Sequence, residues 1–262
     1  MLLKTISASI FTLLILCTSV LAQELADTFF ITEDLPPFSY SLNGENKGLS
    51  VDILKAALRA AEIDPESVKI HIYSWPRGMK TTLNRPNTCL FATVRKAERE
   101  NLFKWAGPIA DVDFALVSLK NDLTINDLSE INNYTVGALK TGISHLILKE
   151  KFHQGTRVEL STTILSMLKK LQRERVDFIL ESEHTLHHVM MQNGFDWKNY
   201  KIHYVFNFGQ TYFAFNKNTA DHIVQKLQDG IDKIRKSGEL SRIQNNYLPE
   251  TRPASTPMGP IN

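Results

Sequence analysis

Five segments of this 262-residue chain carry side chains suited to holding a small charged molecule. Leu35-Pro36-Pro37-Phe38-Ser39-Tyr40 follows a strand-like run. A proline pair stops a strand and projects a rigid loop, on which Phe38 and Tyr40 would present flat faces; a loop with both rings folded into the core fits the same residues. Trp75-Pro76-Arg77 sets a planar cation beside an aromatic ring after a second strand. That pairing suits a carboxylate, and equally an arginine covering a core Trp. In segment 93–108, Arg95 and Arg99 closely follow a third strand, where Arg99 would either grip a carboxylate through two parallel hydrogen bonds or stand in a solvated charged loop. Lys140-Thr141-Gly142-Ile143-Ser144 reads as a strand, a glycine turn and a Ser-capped helix. Free N–H groups there would favour an anion, although many strand-to-helix turns share the pattern. Strand 176–180 runs into Glu181-Ser182-Glu183, an acidic edge that would receive an ammonium group or open a helix.

Other chemistries find less support. His184, His187 and His188 lie close together, with His184 and His188 on one helical face, but no Cys or third ligand stands nearby, so no metal is expected. Ser144-His145 follows a glycine, yet the Gly two places after the serine that a nucleophile elbow needs is missing, and no acid completes a triad. No catalytic residue is therefore assigned, and no cofactor is expected.

The elements that must position these residues alternate between strand and helix patterns. Strands are predicted over 29–32, 69–73, 89–94, 114–119, 134–139, 176–180, 202–206 and 212–215. Helices are predicted from Ser50 as N-cap through Ala61, over 144–152, around Ile164, Leu165, Leu168 and Leu171, and over 221–236, where Gly238 breaks the pattern before a short amphipathic tail to Tyr247. The alternation predicts an α/β protein with mostly parallel sheets. Segment 251–262, with Pro253, Pro257, Gly259 and Pro260, reads as a disordered tail.

Composition narrows the setting. Lys4 precedes an uncharged apolar run to Leu21, and Val20 and Ala22 occupy the small-residue positions before a cleavage point, so residues 1–22 read as a secretory signal peptide. Cys17 would leave with it, and Cys89 would remain as a lone thiol with no internal disulfide possible. The formal charge of +2, with basic residues spread along the chain, gives no nucleic-acid footprint. No second long apolar run exists, so the mature chain is expected to be a soluble periplasmic protein.

In their order and spacing these segments resemble family 3 of the bacterial extracellular solute-binding proteins, from about Phe29 to Leu248. The resemblance rests on Pro36-Pro37-Phe38-Ser39-Tyr40, Gly48-Leu49-Ser50-Val51-Asp52-Ile53-Leu54, Trp75-Pro76-Arg77, Glu98-Arg99-Glu100 with Phe103-Lys104-Trp105-Ala106-Gly107-Pro108, Val136-Gly137, Arg175-Val176-Asp177 and Ser237-Gly238-Glu239-Leu240. It implies a two-lobed type II periplasmic-binding-protein fold, two α/β lobes joined by a two-strand hinge with the ligand cleft between them. Lobe 1 would comprise 23–112 and 210–250 and lobe 2 113–209, with crossings near 111–115 and 207–211. It further implies that Arg99, six residues before Trp105, pairs with a ligand carboxylate, that Thr141-Gly142 adds backbone contacts, and that the residue facing a ligand amine falls at Glu181-Ser182. The sequence departs from the family with Lys96-Ala97 for Thr-Pro, Thr141-Gly142 for Gly-Thr, and Ser182 in the amine register. Arg77 and Arg95 would accommodate a ligand of greater negative charge. The function so implied is binding of a small polar solute, an amino acid or related carboxylate, by a monomer that delivers it to an ABC-type membrane permease complex. The alternatives are a dehydratase-like periplasmic enzyme on the same fold and a ligand-sensing module for a membrane receptor.

Overall fold

The computed structural model describes residues 24–119, 123–140, 143–152, 155–247 and 258–260. The expected signal peptide, most of the expected tail, and Thr141 and Gly142 lie outside the described residues. In chain order the elements are β1 (Phe29–Thr32), the hairpin strands β2 (Tyr40–Leu42) and β3 (Glu45–Lys47), α1 (Leu49–Ala60), β4 (Ile70–Ile72), α2 (Trp75–Asn84), β5 (Thr88–Val94) and β6 (Phe103–Leu119). There follow β7 (Thr135–Leu139), α3 (Ile143–Lys151), β8 (Arg157–Ser161), α4 (Ile164–Gln172), β9 (Phe178–Ser182), α5 (Glu183–Gln192), β10 (Tyr200–Asn216), α6 (Asp221–Lys236), α7 (Glu239–Asn245) and β11 (Met258–Pro260).

The chain divides into two compact units: the described residues up to Ala110 together with Gln210–Asn246, and Asp111–Gly209 together with the described residues from Tyr247 on. Both follow one plan. In the first, the strand order is β4-β1-β5-β10, with β1 parallel to both β4 and β5 and β10 antiparallel to β5. In the second, the order is β6-β9-β7-β8, with β7 parallel to β8 and β9, and β9 antiparallel to β6. In each unit the chain lays its first parallel strand in the middle, the next on one side and the third on the other. The loops at the carboxyl ends of the central strand and its neighbours then diverge, leaving room for a ligand.

Burial explains why these segments are strands. β5 (TCLFATV) is buried along nearly its whole length and β9 (FILES) throughout, as expected of parallel strands covered on both faces. Helices cover them through apolar stripes. α6 buries Ile223, Val224, Leu227, Ile231 and Ile234. It approaches α1 so closely that a Cβ on Gly230 would lie 2.3 Å from the Ala57 carbonyl oxygen. In the second unit Met167, Leu168 and Leu171 of α4 and Leu186 and Met190 of α5 pack with Ala115, Val117, Ile179, Ile202 and Val205.

Several predicted elements differ. β6 begins at Phe103 rather than near Phe114, with Gly107 and Pro108 inside it, and β10 is one strand where two were expected. α1 starts at Leu49, so Ser50 lies within the helix and makes no cap bond. The N-cap is Gly48, at φ 122, where a Cβ would stand 2.6 Å from the Phe38 oxygen. Ser144 is likewise inside α3, its hydroxyl turned to Glu181. Trp75-Pro76-Arg77, placed after a strand by the sequence, forms the first turn of α2, a helix that was not predicted, and there a proline needs no intrahelical donor. β8 was not predicted: only Val158 and Leu160 alternate in this short run, and both are exposed, so pairing with β7 rather than burial of an apolar face defines the strand. Met258–Pro260, within the expected disordered tail, pairs in parallel with Val205–Asn207 of β10.

Candidate functional site

In the first unit, the carboxyl ends of β1, β4 and β5 bring three of the predicted segments to one edge of the sheet. The loop after β1 is held by the Leu35–Ser39 bridge and by Ser39 Oγ, which donates to the Glu33 oxygen at 2.9 Å and meets Thr32 Oγ1 at 2.6 Å. Phe38, at 2% exposure, is part of the core, so it offers no open face to a ligand; Tyr40 is half-buried at the start of β2. After β4, Tyr73 and Trp75 flank the turn into α2. The Arg77 guanidinium lies over the Tyr73 ring at 3.7 Å, and the Arg99 guanidinium over the Trp75 ring at 5.1 Å. Arg99 closes a 3-10 turn after β5 and donates to the Val94 oxygen at 3.3 Å. Among the described residues, no ion pair involves Arg77 or Arg99. Each guanidinium thus lies over a ring with most of its donors uncommitted, a state in which a planar cation can take up a carboxylate.

Arg95 plays a different part from the one the sequence suggested. Its Nε and Nη2 donate to the two Glu100 carboxylate oxygens at 2.8 and 2.5 Å, and its guanidinium lies near the Trp105 and Tyr212 rings, at 5.6 and 5.3 Å. The bidentate pair holds the Glu100 carboxyl below its ordinary range and commits the Arg95 charge internally. Extra ligand charge would fall to Arg77 instead. Two residues at this edge escaped sequence reasoning. Tyr73 carries Arg77, and the only signal was its strand position two residues before Trp75. Glu33 follows β1 directly, and burial raises its carboxyl above the usual range.

In the second unit, Glu181 and Ser182 end β9, both 6% exposed. Period-two alternation turns their side chains to opposite faces of the sheet. The Glu181 carboxylate accepts from the Ser182 N–H at 2.8 Å and the Ser144 hydroxyl at 3.3 Å. Burial pushes its pKa up from 4.5 to about 7, the two hydrogen bonds opposing that shift. Ser182 Oγ is buried with no hydrogen-bond partner among the described residues. Ser144, expected to cap a helix, thus ties α3 to the end of β9. Thr141 and Gly142, predicted to join this site, lie outside the described residues.

The histidines do not gather into a metal centre. Among the described residues no group of three His, Cys, Asp or Glu is placed to hold an ion. His187 packs against Trp197 at 5.7 Å, and burial lowers its pKa and that of His188. A Ser–His contact unseen in the sequence joins Ser118 Oγ and His203 Nε2 at 2.8 Å, but Ser118 is fully buried and its hydroxyl also reaches the Leu119 oxygen at 2.7 Å. With the hydroxyl proton directed to that carbonyl, His203 Nε2 donates, so it is not a base toward Ser118. Burial, with help from Lys201, holds the His203 pKa down at about 4.

Two α/β units of this plan, each with charged and hydroxyl side chains at the carboxyl ends of its parallel strands, define the class of solute-binding domains. The second substrate-binding domain of GlnP from Lactococcus lactis, in its open conformation, has a similar fold: TM-score 0.68 at 17% identity, covering 87% of this chain and 97% of that one. So has a histidine kinase sensor domain with similarity to periplasmic binding proteins, at TM-score 0.64 and 17% identity over 87% of this chain and 98% of that one. The Bacillus subtilis (strain 168) protein named "Probable amino-acid-binding protein YxeM" is 24% identical over 217 residues, 82% of this chain and 80% of its own length. The profile of bacterial extracellular solute-binding proteins, family 3, matches residues 28–250, and the chain belongs to that family. Among the described residues no helix is long and apolar enough to cross a membrane.

Proposed function

We propose that this protein binds a small amino acid or related carboxylate in the periplasm, after export by a signal peptide in residues 1–22, and presents it as a monomer to a membrane transporter. The observation that carries this reading is the pair of ring-stacked guanidinium groups, Arg99 on Trp75 and Arg77 on Tyr73, with no acid paired to either among the described residues. Arg99 takes the ligand carboxylate, and Arg77 serves a ligand with a second one. Tyr40 adds a ring, while Phe38 supports the loop from within. Within the second unit by itself, the end of β9 carries Glu181, a carboxyl able to receive an ammonium group, and, on the other face, the buried Ser182 hydroxyl, which has no hydrogen-bond partner among the described residues. The family resemblance adds Thr141-Gly142, which stand between β7 and α3 in sequence. YxeM is named for amino-acid binding and the GlnP domain for substrate binding, which supports the class of ligand.

Binding and release need no reactive group; they need a closed state with greater affinity for the ligand. The protein is accordingly read as a binding protein and not an enzyme. A thermal-shift screen of the mature chain against amino acids, organic acids and their amides tests this. A ligand at about 100 times its Kd adds roughly 2.7 kcal/mol of stability. An α-amino acid that stabilises while its carboxamide does not supports the reading. Equal stabilisation by the amide removes the carboxylate seat, and turnover of the ligand that is lost in Glu181→Gln replaces binding with catalysis.

A further inference from the structure

A second charged feature lies in the second unit and plays no part in the solute site. A pocket of about 340 Å³ runs along the exposed side of α4 and is lined by Lys169, Lys170, Arg173 and Arg175 together with the polar residues Thr163 and Ser166. Glu174, in the turn between the two arginines, does not line it. The opposite side of α4 carries the buried Met167, Leu168 and Leu171, so the cations are not there to pack the core.

Glu159 is the acid beside them: it pairs with Lys170, and the Arg175 charge also helps hold its carboxyl below the usual range. Lys170 Nζ meets Glu159 Oε1 at 2.7 Å and donates to the Leu160 oxygen at 3.0 Å. Among the described residues, no ion pair involves Lys169, Arg173 or Arg175. All three are exposed. A net excess of cations therefore faces solvent along one side of the helix, and opposite charge is its natural complement.

The geometry also bears on the shape of the complement. At the amino-terminal turn of α4, Thr163 Oγ1 already accepts from the Ser166 N–H at 3.1 Å, and the charge lies on the side chains farther along, which would hold an anion. Lys169 and Arg173 stand one helical turn apart, roughly 5–6 Å between Cβ atoms, and Arg175 extends the series beyond the helix. Such a row suits a series of spaced charges. Acidic side chains at alternate positions of an extended chain recur at about 6.6 Å, close to that spacing.

The neighbouring strand bears on how such a chain would be held. Among the described strands β8 is the edge of its sheet. The Ser161 oxygen accepts from the Lys140 N–H on the β7 side, so in a parallel ladder Leu160 turns its backbone groups outward. Lys170 already occupies the outward Leu160 carbonyl. Strand addition along β8 is thereby obstructed, and charge pairing with the α4 side chains remains.

We propose that this groove docks an extended acidic segment of a partner polypeptide, its alternate carboxylates meeting Lys169, Arg173 and Arg175. The interaction is independent of the solute site and of the solute-binding reading.

The test uses the full mature chain and a fluorescein-labelled decapeptide of alternating Glu and Ser, followed by anisotropy at low ionic strength. The matched Lys–Ser peptide, phosphatidylglycerol vesicles and inorganic pyrophosphate are run beside it. Binding of the Glu peptide that weakens at least tenfold in K169E/R173E, and that falls with added salt, supports the proposal. A thermal melt checks that the variant folds. If the reversed charges prevent folding, K169Q/R173Q is used, with at least a threefold loss expected. The proposal is overturned if the Glu peptide does not bind or binds the variant equally well. It is also overturned if the vesicles or pyrophosphate bind more tightly than the peptide and lose that binding in the variant.

Discussion

The Glu181 carboxyl is buried at 6% exposure, and burial, opposed by hydrogen bonds from the Ser182 N–H and the Ser144 hydroxyl, raises its pKa from 4.5 to about 7. The folded state therefore holds a proton that the unfolded chain has released. Stability from this group is fully present below pH 4.5 and is lost as pH rises through about 7. Across pH 5 to 8 the loss is on the order of 2–3 kcal/mol. Glu181→Gln keeps one oxygen for the Ser182 N–H, presents an amide N–H that the Ser144 hydroxyl can accept, and cannot ionise, so it should remove that loss. Urea unfolding of parent and variant, followed by Trp fluorescence at pH 5, 6, 7 and 8, measures the difference directly. Histidines whose pKa values burial lowers, among them His71, His187 and His203, affect both proteins alike and drop out of the comparison. The expected result is near-equality at pH 5 and a variant more stable by about 2–3 kcal/mol at pH 8. A pH-independent difference between the two proteins would refute the reasoning, because the carboxyl would then titrate at the same pKa folded and unfolded.

Other expectations follow from single contacts. Arg99→Ala should lower affinity for a carboxylate ligand by about 2–5 kcal/mol in titration calorimetry, with Arg99→Lys also weak because a point charge cannot reproduce a planar two-bond grip; unchanged affinity would move the anchor elsewhere. The exposed Lys236, mutated to Ala, should leave both affinity and melting unchanged. If a ligand ammonium pairs with Glu181, binding at pH 7 should release about half a proton, since the free carboxyl is then near half ionised; calorimetry in buffers of different ionisation enthalpy reads this, and zero release would exclude the pairing. Gly230→Val should cost about 1–3 kcal/mol of folding stability, because its Cβ would meet the Ala57 oxygen at 2.3 Å and α6 must move away from α1; an unchanged urea midpoint would contradict that packing.

The sequence by itself determined the α/β class, the family resemblance and most elements with strong apolar periodicity. β1 and α6 fall on the predicted residues because Phe30 and Ile31, and the stripe Ile223, Val224, Leu227, Ile231 and Ile234, bury what their patterns require. Local signals failed where long-range pairing overrode them. A strand was predicted only from Phe114, yet β6 begins at Phe103 and runs through Gly107 and Pro108, and the exposed β8 exists because Arg157–Ser161 pairs with Thr135–Leu139. At the candidate site, residue types near strand ends were legible, but their states were not. Phe38 and Tyr40 look alike in sequence, and only packing puts the first in the core. Arg95 and Arg99 are both arginines after β5, and only the fold brings Arg95 to Glu100 and Arg99 over Trp75. Glu181 is one more acid until burial and Ser144, 37 residues away in sequence, raise and anchor its carboxyl. Charge and ring type are properties of single residues and can be read one at a time; which charge is neutralised, which ring is covered and which proton is retained depend on neighbours that only the tertiary structure supplies.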